Sequence, residues 1–305
     1  MNEVIAIDLG SNSFRVIKYD CVNNSIIDEY HQVVGLADGL INTGVISQEA
    51  LNRVIDALKK ASQKLQFHPK DAVCVTTAAV RKAKNQKEVL NFILKNSGAD
   101  FKVIDSYEEA RLTLLAIKYA LKRENISRDK FMVLDIGGGS TELTISNKNE
   151  FFSRSFDFGI VTMTQKHLKN PNIKQDLENR KEEIKSFLKE IEIDLKEFKF
   201  VATAGTPTTI AAIKKGMNYF DYDKNQINGT IVNLQDLKNS LNLFQTTSSK
   251  DLIKIAGKGR IEYLKTGIYI YNIFFEALNK QESIVLDDGL REGVAINFTL
   301  QNKIN

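Results

Sequence analysis

The chain has 305 residues, more than one minimal core needs, and its size predicts two domains. Apolar residues make up 43% of it and only 3 residues are proline, so sizeable cores are available and no flexible linker separates the halves. The 42 basic against 38 acidic residues leave a formal net charge of +4, which suits a small anionic partner and is too small to demand nucleic acid.

Cys21 and Cys74 are the only cysteines, far apart and inside apolar runs. That excludes a disulfide framework and a CxxC site, and predicts a reducing, cytoplasmic setting. The opening "MNEVIAIDLG" lacks a basic leader. No later segment reaches the ~18 apolar residues of a membrane span, so a soluble protein is expected, neither secreted nor bound to a membrane.

In chain order, apolar runs rich in Val and Ile predict strands at 4–7 and 16–19, followed by a helix over 47–65 opened by the cap residue Ser47. A strand at 72–75 precedes helices over 88–95 and 107–121. The charged break 122–130 is the predicted boundary, giving domains 1–124 and 125–305. Beyond it come a strand at 131–134 and a Lys/Glu-dense helix over 178–195. That helix has an apolar face of Ile184, Phe187, Leu188, Ile191 and Leu195, with its charges on a solvated face. A strand at 200–202 and helices over 206–214, 261–278 and 290–300 complete an α/β chain, the last helix a candidate to pack back on the first domain.

One stretch occurs twice. "VIAIDLGSNSFRVI" from Val4 and "FMVLDIGGGSTELTI" from Phe131 both read strand, tight turn, strand. Asp8 matches Asp135, Gly10 matches Gly137, Ser13 matches Ser140, and Arg15 stands opposite Glu142. Glycines let consecutive backbone N–H groups converge on one point, a nest that suits phosphate oxygens, and the hydroxyl residues add donors. An aspartate beside such a nest repels phosphate unless a cation or a held water lies between them. Neither a P-loop motif nor the dinucleotide-binding glycine fingerprint is present.

With "TTAAVR" at 76–81, "SYEEARL" at 106–112, "ATAGTPTTIAA" at 202–212 and "LDDGLREG" at 286–293, these turns give the chain a resemblance to the exopolyphosphatase and guanosine pentaphosphate phosphatase (Ppx/GppA) family. The motifs span nearly the whole chain in one order. The resemblance implies two ribonuclease-H-like domains of the actin, Hsp70 and sugar-kinase superfold facing across a cleft. It also implies hydrolysis of a terminal phosphoanhydride assisted by a divalent cation, usually magnesium. Longer members append a helical HD-type region, which this chain is expected to lack. A homodimer is compatible with the resemblance.

Phosphoanhydride cleavage needs an aligned water, a carboxylate to orient it, and positive groups on the phosphoryl oxygens. The resemblance places the carboxylate at Glu109, although Ser106 followed by Glu109 also reads as a capping box. Arg81 is suited to bidentate contact with phosphate. Asp135, Glu142 and, more weakly, Asp8 match residues that hold metal or water, and the resemblance also places Glu142 among the catalytic residues with Glu109 and Arg81. Asn12, Ser13 and Arg15 would bind phosphate in the first domain, and Gly137, Gly138, Gly139 and Ser140 in the second. Gly205 and Thr206 open a helix whose N-terminus accepts an anion. Ser106 stands where the family usually has glycine. Lys254, Lys258, Arg260 and Lys265 would line a polyanion path or form a solvated loop.

The expected activity is release of orthophosphate from inorganic polyphosphate. Cleavage of guanosine pentaphosphate by the same chemistry is the alternative, and a non-catalytic sensor of either anion is another class. Carboxylates beside a polyanion weaken a pure binder, which favours the enzyme. His31, His68 and His167 are dispersed, and no G-x-S-x-G elbow exists, so zinc and serine hydrolases are excluded.

Overall fold

The computed structural model describes residues 2–148, 150–167, 172–257 and 259–303. It divides into two compact units, residues 1–116 with 288–305, and residues 117–287. The charged break 122–130 thus lies inside the second unit, and the chain after Asp288 rejoins the first.

The first unit is built on β1 (Glu3–Leu9), β2 (Ser13–Asp20), β3 (Ser25–Val33), β4 (Val73–Thr76) and β5 (Phe101–Val103), in the order β3-β2-β1-β4-β5. The first three form an antiparallel meander, and β4 and β5 run parallel to β1. Both Ala6 and Ile7 are fully buried, because β1 is covered on both faces, and this explains its unbroken apolar run. The crossover to β4 is the Gln48–Leu65 helix. Ser47 caps it by accepting from the Ala50 amide at 3.2 Å, and Leu51, Val54, Leu58 and Leu65 bury one face. The Leu290–Lys303 helix packs on β1, β2 and β4.

The second unit repeats this plan with β6 (Lys130–Ile136), β7 (Thr141–Asn147), β8 (Glu150–Phe156), β9 (Lys199–Thr203), β10 (Thr230–Asn233) and β11 (Glu282–Val285). Its order, β8-β7-β6-β9-β11-β10, is the five-strand order of the first sheet with β10 added antiparallel at the edge. Each unit therefore has the expected ribonuclease-H-like α/β topology. Phe156 meets Phe187 and Phe274 edge to face in its core, with Phe158 tilted against Phe156 and Phe274, and Phe200, Tyr271 and Phe275 form a second aromatic group.

The Lys/Glu-dense helix runs over Ile173–Ile191 rather than 178–195. It starts early because Leu177 is also buried, and it stops where Glu192 turns left-handed at φ 53°. Strands β3 and β8 carry few buried residues, and β10 and β11 have only 4 residues each, so none of them shows the apolar run that announced β1. Among the described residues no helix is long and apolar enough to cross a membrane.

Candidate active site

In open α/β sheets, ligand sites gather at the carboxyl ends of the parallel strands. In the first unit those ends belong to β1, β4 and β5, and Thr76 ties two of them by donating its hydroxyl to the Leu9 carbonyl at 2.8 Å. The turn after β1 is closed by the Gly10 amide on the Ser13 carbonyl at 3.0 Å, with Asp8 directly opposite Arg15 across the strand pair. The segment after β3 then grips this turn from behind. The amides of Val34 and Gly35 donate to the Asn12 carbonyl at 2.9 and 3.0 Å, and the Ala37 amide to the Ser11 carbonyl at 2.8 Å. In a trans peptide the carbonyl and the following N–H point in opposite directions. Tying back these two carbonyls therefore turns the N–H groups of Asn12 and Ser13 outward, as an anion nest requires.

Sequence reasoning missed the residues that hold this grip. Arg53 donates through Nε to the Val34 carbonyl at 2.6 Å, and through Nη2 to the Gly35 carbonyl at 3.0 Å and Asp38 Oδ2 at 2.9 Å. Gly35 sits at φ +55°, and a Cβ there would lie 2.3 Å from Asp38 Oδ2. Burial pushes the Asp38 carboxyl up, with the Arg53 guanidinium acting against it. The signal was present in sequence only as "VVGLADGL", a glycine-bounded run after a polar strand.

Arg81 and Glu109 come together. Arg81 lies in the short Ala78–Lys82 helix after β4, Glu109 in the Ser106–Arg123 helix after β5. Arg81 Nη1 donates to the Ile104 carbonyl at 2.6 Å and to Glu109 Oε2 at 3.2 Å, with the two side chains 21% and 13% exposed. The capping reading of Ser106 and Glu109 is corrected. Asp105 is the cap, its Oδ1 accepting from the Glu108 amide at 2.8 Å, so Ser106 is already helical and Glu109 lies one position past the capping-box site. The Glu109 carboxylate is thereby available to pair with Arg81.

In the second unit the glycine turn 137–139 is gripped in the same manner. The amides of Ile160 and Val161, opening the Ile160–His167 helix, donate to the carbonyls of Gly137 and Gly138 at 3.0 and 2.8 Å. The N–H groups of Gly138 and Gly139 are turned outward by the same peptide geometry. Gly159 makes this approach possible, since a Cβ there would stand 2.6 Å from the Gly138 carbonyl oxygen and 2.7 Å from that of Gly137. Thr162 accepts the Gly159 amide at 2.9 Å, and Thr141 donates to the Phe158 carbonyl at 2.7 Å. Neither Gly159 nor Thr162 was singled out in sequence. Ser140 and Glu142 are only 3% and 4% exposed.

Asp135 lies directly opposite Glu142 on β7 and beside Thr203 on β9. Gly205 and Thr206 therefore leave from the strand end next to the glycine turn. Thr206 buries its hydroxyl against the Ile261–Ala277 helix, where a Cβ on Gly267 would be 2.1 Å from it, so its backbone rather than its side chain faces any anion at the Gly205–Lys214 helix start. Arg260 reaches this helix through Thr209 Oγ1 at 3.3 Å. Lys254 and Lys265 pair with Asp251 and Glu262 one turn away in their own helices, and Lys258 lies outside the described residues. Both lysines therefore lie on helices rather than in a loop, each with an acidic neighbour one turn away.

Two adjacent carboxylates repel unless a cation or proton lies between them. Asp135 and Glu142 are such neighbours, and magnesium commonly takes one or two carboxylates and completes its shell with phosphate oxygens and water. The donor set fits a cation that arrives with phosphate. Among the described residues no group of three His, Cys, Asp or Glu side chains forms a permanent metal seat. Asp8, with Arg15 opposite, has a cationic neighbour instead. The cysteines are unsuited to chemistry, for both are buried and burial pushes the Cys74 thiol up to about 12.

A model of the Ppx/GppA phosphatase family matches residues 16–302. The chain is 27% identical, over 98% of its length, to a bifunctional 3-dehydroquinate synthase/phosphatase of Fusobacterium nucleatum, of which it spans 46%. It is likewise 27% identical, over 96% of its length, to a putative exopolyphosphatase of Haemophilus influenzae, of which it spans 90%. The crystal structure of an exopolyphosphatase from Cytophaga hutchinsonii matches with a TM-score of 0.83 at 25% identity, covering 99% of each chain. With the family match running from residue 16, just past the first turn, through the glycine turn 137–139 to residue 302, the chain belongs to the Ppx/GppA phosphatase family.

Proposed function

We propose that the protein is an exopolyphosphatase that releases orthophosphate from the end of inorganic polyphosphate. The carrying observation is the Arg81–Glu109 pair, set at the same carboxyl edge as the Gly10 turn, whose amides are turned outward. Glu109 orients a water and takes its proton as the water oxygen attacks the terminal phosphorus. The bond from that phosphorus to the bridging oxygen breaks, the bridging oxygen stays with the shortened chain, and orthophosphate leaves. Arg81 both steadies the carboxylate and presents positive charge to the phosphoryl oxygens.

Asn12, Ser13 and Arg15, and in the second unit Gly137, Gly138, Gly139, Ser140, Gly205 and Thr206, are assigned to phosphate binding. Asp135 and Glu142, with Asp8 a weaker candidate, are assigned to a divalent cation, which when bound neutralises charge on the phosphate oxygens. The family membership and the relatives' names support phosphatase chemistry.

The test is orthophosphate release by the purified chain with magnesium, measured side by side on long polyphosphate, short polyphosphate and guanosine pentaphosphate. Turnover is expected on polyphosphate, and Glu109→Gln should keep its circular dichroism while losing about 10²- to 10⁴-fold in kcat. Turnover on guanosine pentaphosphate alone would replace the substrate. No release from any of the three would leave a binding protein, and the enzyme reading would be wrong.

A further inference from the structure

The register of the second sheet sets four polar residues in one row across neighbouring strands. These are Thr203 on β9, Asp135 on β6, Glu142 on β7 and Ser155 on β8. The same row in the first sheet reads Val75, Asp8, Arg15 and His31. There the aspartate has an arginine beside it; in the second sheet it has another carboxylate. A neutral hydroxyl beside a buried carboxylate can fix its rotamer without adding charge.

Ser155 does so. Its Oγ donates to Glu142 Oε1 at 2.6 Å, a short hydrogen bond. The other oxygen, Oε2, lies on the side of the glycine turn, 3.9 Å from where a Cβ on Gly137 would stand. With Glu142 only 4% exposed, bulk water has little access to take over the hydroxyl's role. One oxygen is thus occupied by a fixed donor and the second is held towards the turn. The motif "LDIGGGSTEL" contains nothing of this, because the serine enters from the next strand.

We propose that Ser155 is a positioning residue, holding Glu142 so that Oε2 is presented beside the glycine turn as a ligand for the cation that accompanies phosphate. The inference rests on the role proposed above for Glu142. Outer-shell donors to ligating carboxylates are worth about 10- to 100-fold in metal affinity or activity.

The probe is Mn²⁺, titrated into the full chain and followed by its electron paramagnetic resonance, alongside steady-state kinetics on polyphosphate. Ser155→Ala should weaken Mn²⁺ binding and lower kcat by about 10- to 100-fold, with KM and the metal-free melting midpoint nearly unchanged. Ser155→Thr keeps a hydroxyl at the same Cβ and should recover most of both losses. Wild-type Mn²⁺ affinity in Ser155→Ala would overturn the proposal, as would Ser155→Thr impaired as badly as the alanine. Glu142→Gln separates the two levels. If it retains Mn²⁺ binding and turnover, the role of Glu142 falls and takes the inference with it; if it is impaired while Ser155→Ala is not, only the inference falls.

Discussion

Gly159 shows how a single residue position carries the site. A methyl group there would enter the carbonyls of Gly137 and Gly138 at 2.6–2.7 Å, and those atoms are backbone that cannot swing aside. Gly159→Ala is expected to destabilise by about 1–3 kcal/mol, seen as a lower urea midpoint, and to raise KM for the polyanion because the gripped turn must shift. An unchanged KM would mean the turn does not bind phosphate. Cys74 gives a second expectation, on pH. Its thiol would ordinarily titrate near 9.0 and is raised by burial to about 12, so between these values the unfolded chain releases a proton that the folded chain keeps. That contribution to stability is complete below pH 9 and declines as pH rises towards 12. Cys74→Ala should therefore lose less stability than wild type between pH 8.5 and about 10.5 in parallel urea titrations. Neither residue's role was legible in sequence, since Gly159 acts on a turn about twenty positions earlier.

At the level of elements, helix caps and registers decide what the side chains do. Asp105, not Ser106, caps the helix that carries Glu109, because Asp105 lies two residues past the end of β5 and its carboxylate meets the Glu108 amide. Asp105→Ala should lower stability by about 1 kcal/mol, whereas Ser106→Ala should leave the unfolding midpoint nearly unchanged. The reverse ranking would restore the capping-box reading. The sequence pattern S-x-x-E was real, but one position of helix phase separated a structural glutamate from one free to meet Arg81. Long, strongly patterned elements such as the Gln48–Leu65 helix and β1 were readable because burial on fixed faces imposes a period. β3 and the four-residue β10 and β11 were not, since an exposed edge or a very short strand imposes none.

On the scale of the whole molecule, the chain returns to its first unit after Asp288. The Leu290–Lys303 helix docks on β1, β2 and β4, and Gly293 lets it touch the Ser106–Arg123 helix, a Cβ there falling 2.0 Å from the Leu112 carbonyl oxygen. Gly293→Val is expected to destabilise by at least about 1–3 kcal/mol, read as a lower melting temperature, and a wild-type melt would show that this docking is dispensable. By itself the sequence determined the α/β class, the repeated strand-turn-strand unit and the family resemblance, because hydrophobic period and glycine spacing are local properties. Only the tertiary structure decided that backbone amides from the next crossover tie the turn after β1 and the glycine turn 137–139 from behind, that Arg81 grips Glu109, and that Ser155 bonds Glu142. Those contacts join residues 13 to 28 positions apart through strand register and helix phase, which no local pattern encodes.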